Sequence, residues 1–163
     1  MYKLYLIYLM VLVGLASCAQ SNYRFKQRYF FAQQMSFGRE LRNPQGQPLT
    51  RKQDTLYFVY LETSGGEEPQ FTAAFYKGKA FQTAVYPVNE DTVHVGSTIA
   101  GEEIVIRKNT GHQLLRLELT EARENEAKNP VSQNTLILNG HWHAQPFQLI
   151  LKQPILLAAN IKG

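Results

Sequence analysis

Cysteine is almost absent from this chain: Cys18 is the only one in 163 residues. A lone cysteine cannot form an intramolecular disulfide, so the fold must rely on its core. Aspartate occurs only at Asp54 and Asp91, both in turn-like settings, and there is no Gly-x-Ser-x-Gly nucleophile elbow. Glu102 and Glu103 are adjacent and would face opposite sides of a strand, so they make no carboxylate pair. These absences favour a protein that is not an enzyme.

The chain also lacks an apolar run long enough to cross a membrane as a helix. Its longest mostly aliphatic stretch, residues 4–15, would rise about 18 Å as a helix, against a hydrocarbon core of about 30 Å. Lys3 precedes this stretch. A positive residue followed by a short apolar run is typical of a secretory signal peptide.

The apolar run ends on Leu15, Ala16, Ser17 and Cys18. An aliphatic residue, two small residues and a cysteine resemble the lipobox of bacterial lipoproteins. The resemblance covers residues 1–18. It implies that residues 1–17 are a lipoprotein signal peptide and that Cys18 carries a covalent lipid, with no other cofactor. The alternative is an ordinary cleaved signal followed by an incidental cysteine.

Under the same resemblance, the residues after Cys18 indicate which membrane the lipoprotein occupies and which side it faces. In some bacteria an aspartate directly after the lipidated cysteine retains a lipoprotein in the inner membrane, and this position is Ala19. The acidic cluster that sends some lipoproteins to the cell surface is missing from residues 19–22. The resemblance therefore implies a protein that is lipid-anchored in the bacterial outer membrane and faces the periplasm.

Basic residues are concentrated in the first third of the chain, within a net charge of +4. Arg24, Lys26 and Arg28 alternate with aromatic residues. We interpret residues 18–36 as the lipidated cysteine and a basic, aromatic tether. Its cations would contact anionic headgroups, each worth about 1 kcal/mol near the surface. Nucleic acids attract the same residue types, but an exported chain rarely meets them, so no nucleic-acid partner is expected.

The same segment has a second interpretation. It could be a first strand in which alternate aromatic residues pack on the core, namely Tyr23, Phe25, Tyr29 and Phe31.

A strong turn signal follows at residues 43–48, with the sequence NPQGQP. With its flanks, residues 38–49, it resembles the first hairpin of prealbumin-like β-sandwich domains. It is also similar to the outer-membrane lipoprotein of the type VI secretion membrane complex, which is a small lipidated sandwich. These resemblances imply a sandwich fold and, in the most specific form, a subunit of a secretion machine.

From Thr55 onward, apolar residues recur at every second position between turn signals. One predicted hairpin turn is Lys77-Gly78-Lys79, and a later one lies either at Asn139-Gly140 or at residues 144–146. This pattern predicts an all-β chain, an antiparallel β-sandwich (Ig- or prealbumin-like) or a small barrel, formed by a single domain over residues 37–163. Residues 55–62 are apolar on both faces, which predicts either a central strand or an edge that a partner covers. The one helical candidate is residues 121–128.

A metal site is the main chemical alternative. In a strand His141 and His143 would share a face, and His94 or His112 could add a third nitrogen for zinc or copper. Nothing in the sequence brings these strands together. The alternative is that the histidines lie on a solvated face, so we expect no metal.

We therefore predict a non-catalytic envelope lipoprotein, bound to the membrane through its lipid, that docks or holds an envelope protein in a membrane-associated assembly. The alternative is a lipid or small-ligand carrier of lipocalin-like shape. A carrier needs an internal cavity, whereas an assembly protein needs an exposed apolar patch or a bare strand edge.

Overall fold

The computed structural model describes residues 25–37, 55–64, 68–122 and 134–162, with the side chains of all but residues 36, 37 and 160–162. These ranges contain no helix, and their strands are β1 (Phe25–Phe37), β2 (Thr55–Thr63), β3 (Gln70–Tyr76), β4 (Lys79–Val88), β5 (Thr92–Ser97), β6 (Glu103–Arg107), β7 (Gln113–Glu121), β8 (Leu136–Trp142), β9 (Gln145–Leu151) and β10 (Ile155–Lys162). The predicted all-β class is confirmed. Of the helical candidate, Glu121 ends β7 and residues 123–128 lie outside the described ranges.

Eight strands form one sheet in the order β10-β1-β2-β7-β4-β3-β8-β9, and β5 and β6 form a second, two-stranded sheet. All neighbouring strands are antiparallel except β1 and β10, which are parallel. A flat sheet would separate β9 from β10 by about 34 Å, at about 4.8 Å per strand. Residues 152–154 alone connect them, and four Cα–Cα steps reach only about 15 Å. The sheet must therefore curl until its two ends approach each other.

Ring contacts mark the seam where the sheet meets itself. Phe25 of β1 lies 5.3 Å from Trp142 and 5.5 Å from Phe147 of β9, between ring centroids. The architecture is thus a small, curled, barrel-like sheet with a second layer on one side, which agrees with the predicted sandwich or small barrel.

The inside of the curl is filled with large apolar side chains. Its buried members are Phe25, Phe30, Val59, Leu61, Ala74, Tyr76, Phe81, Leu115, Leu117, Leu119, Leu136, Leu138, Trp142, Phe147, Leu149 and Leu151. Along β7 they are every second residue, as the pleat requires.

The β5–β6 hairpin packs on the outer face of the curl and encloses a second core. Its buried members are Phe31, Phe58, Tyr60, Ile106, Leu114 and Leu157. Because β2 lies between β1 and β7 and is covered on both faces, it is a central strand. This confirms the first interpretation of residues 55–62 and excludes the partner-covered edge.

The predicted tether over residues 18–36 is corrected by β1, which begins at Phe25 and pairs with both β2 and β10. The folded domain therefore includes residues well before residue 37. Aromatic burial is the physical reason, since Phe30 and Phe31 are 4% and 0% exposed and such burial favours an ordered strand.

The alternation predicted for this strand is wrong. A bulge lies between Phe25 and Arg28, because three residue steps of β1 oppose two of β2. One extra residue moves all later side chains to the other face. Phe25 and Phe30 therefore share the inner core, while Tyr29 and Phe31 face the outer one.

Two tight turns close hairpins of the large sheet. The predicted turn at Lys77-Gly78 is confirmed, with φ of 50° and 74°. The β8–β9 turn lies at His143-Ala144, so the alternative at Asn139-Gly140 is wrong and the one at residues 144–146 is placed one residue too late. Gly140 lies within β8, where a Cβ would collide with the Gln70 carbonyl oxygen and the Phe147 ring. The hairpin predicted over residues 38–49 lies outside the described ranges.

Candidate functional site

The predicted lipobox, Leu15 to Cys18, and Arg24 lie outside the described residues. Lys26 and Arg28 are exposed at the start of β1. Lipidation at Cys18 and contact of these cations with headgroups thus stay predictions.

Strand register defines two ends of the curled sheet. At one end Phe25 pairs with Thr63, and Thr63 pairs with Gln113. We name this the anchor end, because Cys18, the predicted lipidation site, precedes Phe25 by seven residues, which reach at most about 25 Å. The other end, which we name the open end, contains Tyr57, which pairs with Leu119.

The candidate metal ligands are not brought together. His94 lies in the small sheet, where its Nδ1 is 2.7 Å from Glu103 Oε1 on an exposed face. His141 is exposed on β8, and His143 is exposed in the β8–β9 turn, both in the large sheet. In the described ranges no group of three or more histidine, cysteine or acidic residues has the geometry of a metal site.

Glu62 is the polar residue that the sequence interpretation missed. Its side chain is fully buried, although it lies at the end of β2. The carboxylate accepts hydrogen bonds from the Asn109 backbone N–H at 2.8 Å and from Asn109 Nδ2 at 2.8 and 3.0 Å. His112 Nδ1 lies 2.8 Å from the same carboxylate. A buried carboxylate is tolerated when donors surround it, so this cluster fixes the loop between β6 and β7.

A signal for Glu62 was present in the sequence. Phe58, Tyr60 and Glu62 alternate along a strand that is apolar on both faces, so the charge falls on a face that must be covered. Only the partner residues, 47 and 50 positions away, could not be inferred from the strand itself.

An apolar patch is exposed beside β10. We name it the edge patch and define it by Ile99, Leu156 and Ile155, which are 71%, 54% and 37% exposed. Ile99 lies beside Leu156, because the Ile99 N–H donates to the Leu156 carbonyl at 3.3 Å and Thr98 forms a bridge with Leu157. Residues 155–159 contain no charged side chain.

A cleft of about 570 Å³ opens at the open end. Its described lining is Met35, Thr55, Leu56, Tyr57, Tyr76, Lys77, Lys79, Phe81, Leu119, Thr120 and Glu121. The floor is aromatic: the Tyr57 ring centroid lies 5.4 Å from that of Tyr76 and 5.7 Å from that of Phe81. Burial raises the pKa of the Tyr76 phenol above its ordinary value of 10.0.

Two charged groups on the rim of the cleft neutralise each other. Lys79 Nζ lies 2.7 and 2.9 Å from the two carboxylate oxygens of Glu121. Lys77 Nζ instead lies 5.3 Å from the centroid of the Tyr76 ring, within the range of a cation–π contact.

Within the ranges that the structure describes, no helix is long and apolar enough to span a membrane. The chain matches no protein-family model, no curated protein and no solved structure.

Proposed function

We propose that this chain is a non-catalytic envelope lipoprotein, anchored through Cys18 in the bacterial outer membrane, that docks a protein partner in a membrane-associated assembly. The edge patch is the observation that carries the proposal. In its most specific form, taken from the hairpin resemblance, the assembly is a secretion machine.

The edge patch resembles a surface that a protein partner covers. Edge strands of soluble domains are commonly protected by charged side chains, and apolar side chains are seldom clustered in the open. Here the first five residues of β10 carry no charge, and Ile99 projects beside them with 71% exposure. Partners commonly bind such sites by adding a strand to an edge or by covering its apolar side chains.

The short distance to the predicted anchor supports the same function. A lipid on Cys18 would hold the anchor end within about 25 Å of the bilayer surface. Confinement of this kind raises the effective concentration of the domain toward other membrane proteins without any new contact. The exposed Lys26 and Arg28 lie at that end, where they are close to the headgroups.

The test is photo-crosslinking from the anchored protein in its own cell. A photoreactive amino acid is placed at Leu156, in the edge patch, and in a matched variant at Tyr86, which is 49% exposed on β4. We expect a defined envelope protein to be crosslinked from position 156 and not from position 86. The proposal is wrong if neither position yields a protein adduct, or if both yield the same ones.

A further inference from the structure

We propose that the cleft at the open end binds an amphipathic molecule with one anionic head group, its apolar part against Tyr57, Tyr76 and Phe81 and its head at Lys77. This site is separate from the edge patch and does not depend on the docking function. It assigns a ligand class to the cleft that the described residues form at the end opposite Phe25.

The size and floor of the cleft suit the apolar part. A volume of about 570 Å³ lies within the usual range for small-molecule sites, about 300–1,000 Å³. Tyr76 and Phe81 are 4% and 6% exposed, so packing in the inner core fixes the positions of both rings. The Phe30 ring packs against the Tyr76 ring, with the centroids 5.1 Å apart. Met35, Leu56 and Leu119 also line the cleft.

The charges of the rim select an anion. Lys79 is already paired with Glu121, whereas Lys77 forms no ion pair with any described residue. The described rim therefore has one uncompensated positive charge beside an apolar floor. A carboxylate, sulfonate or phosphate head would accept a charge-assisted hydrogen bond from Lys77, while a cationic head would be repelled.

The backbone at Lys77 supports a role beyond closing the hairpin. Lys77 and Gly78 are the two turn residues, and Lys77 has a φ of 50°. Turns of this type favour asparagine, aspartate or glycine at the first position, because other side chains are strained there. Strain of this kind is common where a side chain has a function. Lysine is therefore an unfavourable residue for the turn alone. Its ammonium group lies over the Tyr76 ring at the floor of the cleft.

The turn also allows a variant that removes the Lys77 charge and should preserve the fold. Lys77→Asn removes the charge and supplies the residue that the turn prefers, so we expect it to fold at least as well as the parent. Lys152→Asn, on the exposed connection between β9 and β10, is the matched control for a loss of one positive charge.

The experiment is a titration of the anchored full-length protein in nanodiscs of zwitterionic lipid, with ¹³C-methyl methionine as the reporter. Of the three methionines in the chain, Met35 alone lies in the described ranges, and it lines the cleft. The probe is octanoate, with octyltrimethylammonium as the probe of opposite charge. The indole resonance of Trp142, the only tryptophan, reports whether each variant is folded.

We expect octanoate to shift the Met35 methyl resonance saturably and octyltrimethylammonium to leave it unchanged. Lys77→Asn should weaken octanoate binding about tenfold, the loss expected for one charge-assisted hydrogen bond. Lys152→Asn should not alter octanoate binding. The inference is overturned if octanoate gives no saturable shift, as when another segment of the chain fills the cleft. Equal binding of both probes, or unchanged affinity in a folded Lys77→Asn variant, would also overturn it. Crosslinking from Leu156 is unaffected by any of these outcomes.

Discussion

Glu62 Oε1 lies 2.8 Å from His112 Nδ1, although the two residues are 50 positions apart in the chain. The pair, with Asn109, joins the end of β2 to the loop that enters β7. Since β2 and β7 are neighbours in the middle of the large sheet, this polar cluster fixes the sheet at its anchor end.

The first prediction concerns this cluster. Glu62→Ala should lower the free energy of unfolding by about 3–5 kcal/mol, because it leaves buried donors without an acceptor. Glu62→Gln keeps one acceptor oxygen and should cost less, about 1–3 kcal/mol. Urea denaturation measures both. The control is Glu121→Gln, whose exposed ion pair with Lys79 should contribute at most about 1 kcal/mol. Equal losses in Glu62→Ala and the control would show that the cluster has no structural role.

The second prediction tests whether β1 belongs to the domain. Phe31 is fully buried in the outer core, so Phe31→Ala should cost about 3–5 kcal/mol in urea denaturation. Gln34→Ala, at an exposed position of the same strand, should change stability by less than about 0.5 kcal/mol. A chain that starts at residue 37 should not fold, since it lacks β1. Cooperative unfolding of that shortened chain would restore the tether interpretation.

The third prediction concerns the β8–β9 turn. Ala144 has a φ of 61°, and a left-handed conformation costs an ordinary residue about 1–2 kcal/mol. Ala144→Gly should therefore stabilise the protein by about 1 kcal/mol. Ala84→Gly, in the middle of β4, should instead destabilise it by about 0.5–1 kcal/mol. Thermal denaturation gives the signs of both changes, and a loss of stability in Ala144→Gly would contradict the strained turn.

The fourth prediction is a loss of stability at high pH. Burial is the main cause that raises the pKa of Tyr60 above 10.0, and the charge of Arg116 partly opposes it. Burial also raises the pKa of Tyr76. Because the unfolded chain ionises first, both contributions are fully present below pH 10 and are lost as the pH rises through the folded values, at up to about 1.4 kcal/mol per pH unit and group.

The measurement is urea denaturation as a function of pH in the parent, in Tyr60→Phe and in Tyr76→Phe. Each variant should show a shallower loss of stability above pH 10 than the parent. Three identical profiles would show that ionisation of these tyrosines is not linked to folding.

The fifth prediction is lipidation. Metabolic labelling with a palmitate analogue should mark the parent protein and should not mark Cys18→Ser, because the thiol is the site of attachment. The exported fraction of each variant is compared at equal expression. Equal labelling of both would remove the anchor from the proposed function.

Local patterns were enough to predict part of this protein. Alternating apolar residues predicted the strands, because side chains of a pleated strand point to opposite faces whatever their partners are. Residues 55–62, apolar on both faces, indicated a central strand, and Lys77-Gly78 indicated a tight turn. The signal-like start of the chain is also a prediction from the sequence alone.

The tertiary structure decided the features that depend on distant partners. The bulge after Phe25 reverses the faces of β1, and no periodic pattern specifies a single extra residue. The pairing of β10 with β1 places β10 at the opposite end of the strand order from β9, so the short connection between them makes the sheet curl. The sequence of neither strand specifies this pairing. The burial of Glu62 and the grouping of Lys77 with Tyr57 and Leu119 also depend on residues that are distant in the chain. Periodicity specifies which face of a strand is apolar, whereas the partner that covers the face is chosen by the packing of the whole chain.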